Sequence, residues 1–84
     1  MYEGGVRLHE VPFAMAWEGQ VVRGTIDCLI SHPDGAFTVL EFKTGRARPE
    51  HGMQLQIYKR AVEGMAPGAR VDAWLVYPDV VIAA

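Results

Sequence analysis

The sequence predicts an α/β domain of the α+β kind, with elements in the order β-β-β-α-β. Three observations carry this. Three apolar segments are joined by short turns, "EGQ" and "SHPDG", as in an antiparallel meander. A stretch with apolar residues every three or four positions follows, bounded by Pro49 and by Pro67-Gly68. A last segment, "RVDAWLVYP", is almost continuously apolar.

Each element has a local reason. "VRLHEVPFAMAW", Val6 to Trp17, is rich in apolar and aromatic residues; Pro12 pushes it toward a sheet edge or a bulge. "VVRGTIDCLI", Val21 to Ile30, alternates its side chains between two faces, so Asp27 and Cys28 have opposite parity. Pro and Asp-Gly chemistry marks the turn from Ser31 to Gly35. "AFTVLEFK", Ala36 to Lys43, is the third strand, with Val39, Leu40 and Phe42 expected in the core. The helix is expected from Pro49 to Val62 or Met65, with Glu50 in its first turn. Its apolar stripe is expected along Met53, Ile57, Ala61 and Met65, widened by Tyr58 and Val62, and ended by Gly64, Pro67 and Gly68. The final strand, Arg70 to Pro78, has the pattern of an interior strand covered on both faces. A strand, a helix and another strand in succession predict a parallel crossover, hence a mixed sheet.

Size and charge restrict function. The chain has 84 residues, enough for one small domain, residues 1–84, with a thin core. The net charge of −2 carries no global signal for nucleic acid, but five of the eight Lys and Arg residues fall between Lys43 and Arg60. Such a local basic surface either attracts phosphates or is a solvated face. The single cysteine, Cys28, excludes an internal disulfide and a cysteine-built metal cluster, and fits a cytoplasmic setting. No apolar run reaches the length of a membrane span. There is no Gly-rich Walker loop. His9, His32 and His51 have no mutual metal-ligand spacing.

The chemistry concentrates at "TVLEFKTG". Glu41 and Lys43 sit two apart, so both leave one face of the strand near its end. Asp27 on the preceding strand falls opposite a residue near Glu41 or Lys43. Two carboxylates on adjacent strands can share a hard divalent cation, and an amine beside them can hold a water. The same acid-x-Lys spacing alone is also that of a plain cross-strand salt bridge.

The motifs around this pair resemble a known family. "GTIDCLI", "LEFKTG" and "QLQIY" are similar to the nuclease domain of the RecB family in the PD-(D/E)XK superfamily, and within it to the C-terminal nuclease of AddA-type helicase–nucleases. Gly24 and Asp27 match a Gly-x-x-Asp. Glu41, Lys43, Thr44 and Gly45 match an acid-x-Lys-Thr-Gly, and Gln54 and Tyr58 match a Gln-x-x-x-Tyr. The resemblance covers most of the chain in family order.

It implies a restriction-endonuclease-like core and metal-dependent DNA hydrolysis in repair or recombination, whether as an exonuclease or an endonuclease. Asp27 and Glu41 are then the metal ligands, with the backbone carbonyl of Phe42 as a third. Lys43 positions the attacking water. Gln54 and Tyr58 support the site or contact the DNA backbone, with core packing the alternative for Tyr58. Arg46 and Arg48 are expected to meet phosphates, from charge alone. The implied cofactor is Mg²⁺ or Mn²⁺. The implied partners are DNA and a helicase domain or subunit; a second copy of the chain is expected from the thin core and from the sheet surface that an absent helix would leave uncovered. The family pattern also has an upstream helix that supplies a His or an acid; with "MYEGGVRLHE" at the start of this sequence, that helix is expected to be missing. The rival expectation is therefore an inactive nuclease-fold module that binds DNA or a helicase partner.

Overall fold

In the computed structural model, residues 5–46, 48–78 and 80–83 are described. β1 (Val6–Trp17), β2 (Gln20–Ser31), β3 (Phe37–Phe42), α1 (Pro49–Met65), β4 (Val71–Val76) and β5 (Val81–Ala83) follow in that order. The strands form one sheet with spatial order β1-β2-β3-β4-β5. β1–β2, β2–β3 and β4–β5 pair antiparallel, and β3–β4 pair in parallel. The mixed sheet with one helix packed on it is the restriction-endonuclease-like core that the sequence predicts.

The turns behave as their residues require. Glu18 and Gly19 both have positive φ, 48° and 78°, between the paired Trp17 and Gln20. That is the two-residue hairpin whose twist suits antiparallel strands. In the second turn the Asp34 side chain accepts the Ala36 N–H at 3.0 Å, and the Gly35 N–H donates to the His32 carbonyl. β1 is an edge strand, which accommodates Pro12 opposite Thr25. The register continues across Glu10 without an inserted residue, although Glu10 itself has φ 51°.

The core lies between α1 and the sheet. Leu55, Tyr58, Ala61 and Val62 are the buried helix residues, and they meet Phe13, Ile26, Leu29, Val39, Val71, Ala73 and Leu75. This moves the buried stripe away from the one expected along Met53, Ile57 and Met65. Met53 and Met65 are exposed and Ile57 is only half-buried. Two stripes at helical spacing overlap in "GMQLQIYKRAV", and the one along Leu55, Tyr58 and Val62 is the one that faces the sheet. Cutting Leu55 back to Ala there costs about 2–5 kcal/mol.

Three further expectations are corrected. β4 is interior in the sheet order but alternates buried Val71, Ala73 and Leu75 with exposed Asp72 and Trp74. Only one of its faces is covered among the described residues, because α1 packs on one side. Phe42, expected in the core, is 54% exposed, since it leaves the strand on the opposite face from Glu41. Gly64 lies within the last helical turn, and the helix ends after Met65 with the Ala66 N–H donating to the Val62 carbonyl. β5 is an element that the sequence pattern did not predict.

Candidate active site

The register of β2 on β3 places Cys28 opposite Leu40, and therefore Asp27 opposite Glu41. At this level the two strands exchange side-chain bonds instead of ladder bonds. The Asp27 N–H donates to Glu41 Oε1 at 2.9 Å, and the Phe42 N–H donates to Asp27 Oδ2 at 3.0 Å. Each carboxylate spends one oxygen on the neighbouring backbone, and the two carboxyl groups also lie within side-chain hydrogen-bonding reach of each other.

Glu41 is 3% exposed. Burial pushes its carboxyl up to about 7, and the Asp27 carboxylate beside it adds to the rise, while the Asp27 N–H and Lys43 oppose it. A buried acid held against a second carboxylate does not ionise easily. A divalent cation relieves that conflict, and hard oxygen donors with one or two carboxylates suit Mg²⁺ and its like. The donor set therefore fits such an ion. Among the described residues no third His, Cys, Asp or Glu joins the pair.

Lys43 lies one residue past the end of β3, and its backbone N–H still donates to the Val76 carbonyl at 2.9 Å. Its Nζ donates to Gln54 Oε1 at 2.6 Å, and Gln54 Nε2 donates in turn to the Tyr58 hydroxyl at 2.9 Å. Gln54 and Tyr58 are one helical turn apart, so a single chain of bonds runs from β3 down one helix face. Burial raises the Tyr58 hydroxyl above its ordinary value, and the Glu41 carboxylate raises it further. It stays a neutral phenol at neutral pH.

Of the residues singled out in the sequence, Asp27, Glu41, Phe42, Lys43, Gln54 and Tyr58 come together. Tyr58 is 8% exposed and its ring meets Phe13 edge-on, with centroids 5.2 Å apart. It combines core packing with support of Gln54, and its burial does not suit a direct contact with DNA. Arg46 and Arg48 are exposed on the loop that follows, and Arg48 occupies the helix N-cap position. Gly45, with φ 81°, turns the chain out of the site in a conformation that favours glycine. His9 is exposed on β1 opposite Cys28, and His32 bonds Thr38 away from the pair. Cys28 is buried, and burial pushes its thiol up, as expected for a small core residue.

Gly24 has a steric role. A Cβ there would lie 2.8 Å from the Phe13 ring and 3.2 Å from the Tyr58 ring. The bare backbone lets Tyr58 approach β2 three residues before Asp27. His51 and Tyr77, which no sequence pattern joins, also meet beside the site, with His51 Nδ1 2.8 Å from the Tyr77 hydroxyl.

Comparisons with known proteins bear on the family and the fold. The model of the PD-(D/E)XK nuclease superfamily matches residues 3–81. An ATP-dependent helicase/nuclease subunit of Moorella thermoacetica is 46% identical over 54 residues, which are 60% of this chain and 4% of that protein. The crystal structure of SSO0001 superposes with a TM-score of 0.62 at 26% identity, over 93% of this chain and 40% of that one. The chain thus spans a small part of the curated relative and under half of the solved structure. With the superfamily model spanning most of the chain, the chain belongs to the PD-(D/E)XK nuclease superfamily.

Proposed function

We propose that this chain is a Mg²⁺- or Mn²⁺-dependent deoxyribonuclease domain that hydrolyses phosphodiester bonds, in DNA repair or recombination. The observation that carries the reading is the Asp27–Glu41 pair, held face to face across β2 and β3 with Lys43 beside it. The carboxylates of Asp27 and Glu41, together with the Phe42 carbonyl, would hold the cation in place of the contact the two acids now make with each other. When bound, that ion polarises the phosphate and eases ionisation of a water.

The chain's own residues supply the rest. A lysine ammonium has three donors. One is spent on Gln54, which leaves two to align the attacking water and a phosphate oxygen. Gln54 fixes the ammonium, and Tyr58 fixes Gln54. Arg46 and Arg48 offer exposed positive charge where the strand turns toward the helix, and they contact substrate phosphates in this reading. The likeness to part of a helicase/nuclease supports a domain that works attached to, or beside, a helicase that delivers DNA. No helix among the described residues is long and apolar enough to cross a membrane.

Cleavage of single- and double-stranded DNA with Mg²⁺ or Mn²⁺ tests the proposal, with Lys43→Ala and Asp27→Ala alongside. Each variant is expected to lose activity by about 10³-fold or more, near the upper range for a positioned acid–base group. Cleavage that persists unchanged in both variants contradicts the assignment. Tight DNA binding with no metal-dependent cleavage identifies an inactive module instead.

A further inference from the structure

Lys43 itself, and the helix turn that leads to Gln54, are each tied to neighbouring residues at the end of β4. On one side, the Lys43 backbone N–H donates to the Val76 carbonyl. On the other, Tyr77 is 5% exposed and its hydroxyl meets His51 Nδ1 at 2.8 Å. The two rings also stack, with centroids 5.9 Å apart and planes inclined by 29°. Tyr77 is itself fixed, since its N–H donates to the Val80 carbonyl at 2.8 Å as the chain turns into β5.

His51 lies in the first turn of α1, three residues before Gln54. Residues three apart are neighbours on a helix surface, and both line one groove of about 370 Å³ with Glu50, Met53 and Ile57. At the same helix end the His51 N–H donates to the Arg48 carbonyl at 3.1 Å, but Arg48 at the N-cap makes no side-chain cap bond. A side-chain cap is one of the usual ways to fix a helix start, so a tertiary contact at this turn carries more of that task.

We propose that His51 and Tyr77 are positioning residues: they clamp the first turn of α1 to the end of β4 and thereby set the reach of Gln54 to the Lys43 ammonium. Neither touches the carboxylate pair. They act through the register between the helix start and Val76, where a shift of about 1 Å is enough to reduce catalysis severely. The kinetic consequence rests on the nuclease reading; the placement of Gln54 does not.

The test uses the whole chain, ¹⁵N-labelled, as wild type and as Tyr77→Phe, which keeps the ring and removes only the hydroxyl. His51→Phe keeps the stacking, and His51→Asn returns a polar atom near the place of Nδ1. The Gln54 side-chain amide resonances are expected to move in Tyr77→Phe and His51→Phe, and to return toward wild type in His51→Asn. In the cleavage assay the two Phe variants lose about tenfold or more in kcat, the size expected when a supporting partner is removed, with KM unchanged. Gln54 resonances unchanged in both Phe variants overturn the proposal, as does an undiminished kcat. If wild type does not cleave DNA, the nuclease reading fails, and the resonances still decide the clamp. Should Tyr77→Phe unfold, His51→Phe and His51→Asn carry the same decision from the other side of the bond.

Discussion

β3 buries one polar residue near each end, and the two are equally hidden: Thr38 and Glu41 are both 3% exposed. Thr38 belongs to the ordinary part of the sheet, where the ladder from Ser31–Phe37 to Cys28–Leu40 is intact. Its hydroxyl is 2.7 Å from His32 Nε2, a neutral group satisfied by a neighbour. Glu41 lies where the ladder gives way to side-chain bonds, beside a second carboxylate and an ammonium. Equal burial therefore has opposite meanings. At one end a polar group completes the fold. At the other, burial and a like charge leave an acid in a state that a cation would improve.

The two ends should differ most in catalysis. Gln54→Ala leaves Lys43 Nζ without its 2.6 Å partner, and the cleavage rate is expected to fall by about 10–100-fold. Measured kcat and KM should show the loss in kcat. Thr38→Val, by contrast, is expected to leave kcat at the wild-type value.

A second difference lies in the response to pH. The Glu41 carboxyl titrates near 7 in the folded chain against 4.5 for an ordinary glutamate. Below 4.5 the group is protonated in both states. Between the two values the folded chain holds a proton that the unfolded chain releases, so stability falls as pH rises through this window and levels off above it. Urea unfolding of Glu41→Gln across the same range is expected to lose that slope. A divalent cation should restore stability to wild type on the alkaline side and do little for the variant.

The smallest effect belongs to the Thr38 end. Thr38→Val removes one neutral hydrogen bond and is expected to cost about 1 kcal/mol in urea unfolding. The slope with pH that Glu41 produces should persist in it. A loss of that slope in Thr38→Val would mean that the two ends of β3 are not independent.

Much of this was legible in the residues. "SHPDG" marked the turn that brings Asp27 near Glu41 or Lys43, leaving the register between them open, and the two-residue period put Glu41 and Lys43 on one face. A polar amide on a helix face that is otherwise apolar singled out Gln54 as a site residue, while its bond to Lys43 emerged only from the packing of α1 beside the end of β3. What stayed hidden has physical causes. β5 is three residues long and exposed throughout, so no burial pattern marks it. The helix carries two overlapping apolar stripes, and only the sheet's shape selects Leu55 over Met53. Tyr77 and His51 are 26 positions apart and in different elements, so their meeting depends on where β4 ends relative to α1. Phe42 follows the alternation rule, yet its apolar character argues for burial that α1 does not provide on that face.

Calorimetric titration of the whole chain with Mn²⁺ decides whether Asp27 and Glu41 form one cation site. At a pH about one unit above the Glu41 midpoint, one ion should bind per chain, and binding should weaken as pH falls through that midpoint because the cation competes with a proton. Asp27→Asn and Glu41→Gln should each reduce the affinity by about tenfold or more. Unchanged Mn²⁺ affinity in both variants would mean that the two carboxylates do not share an ion.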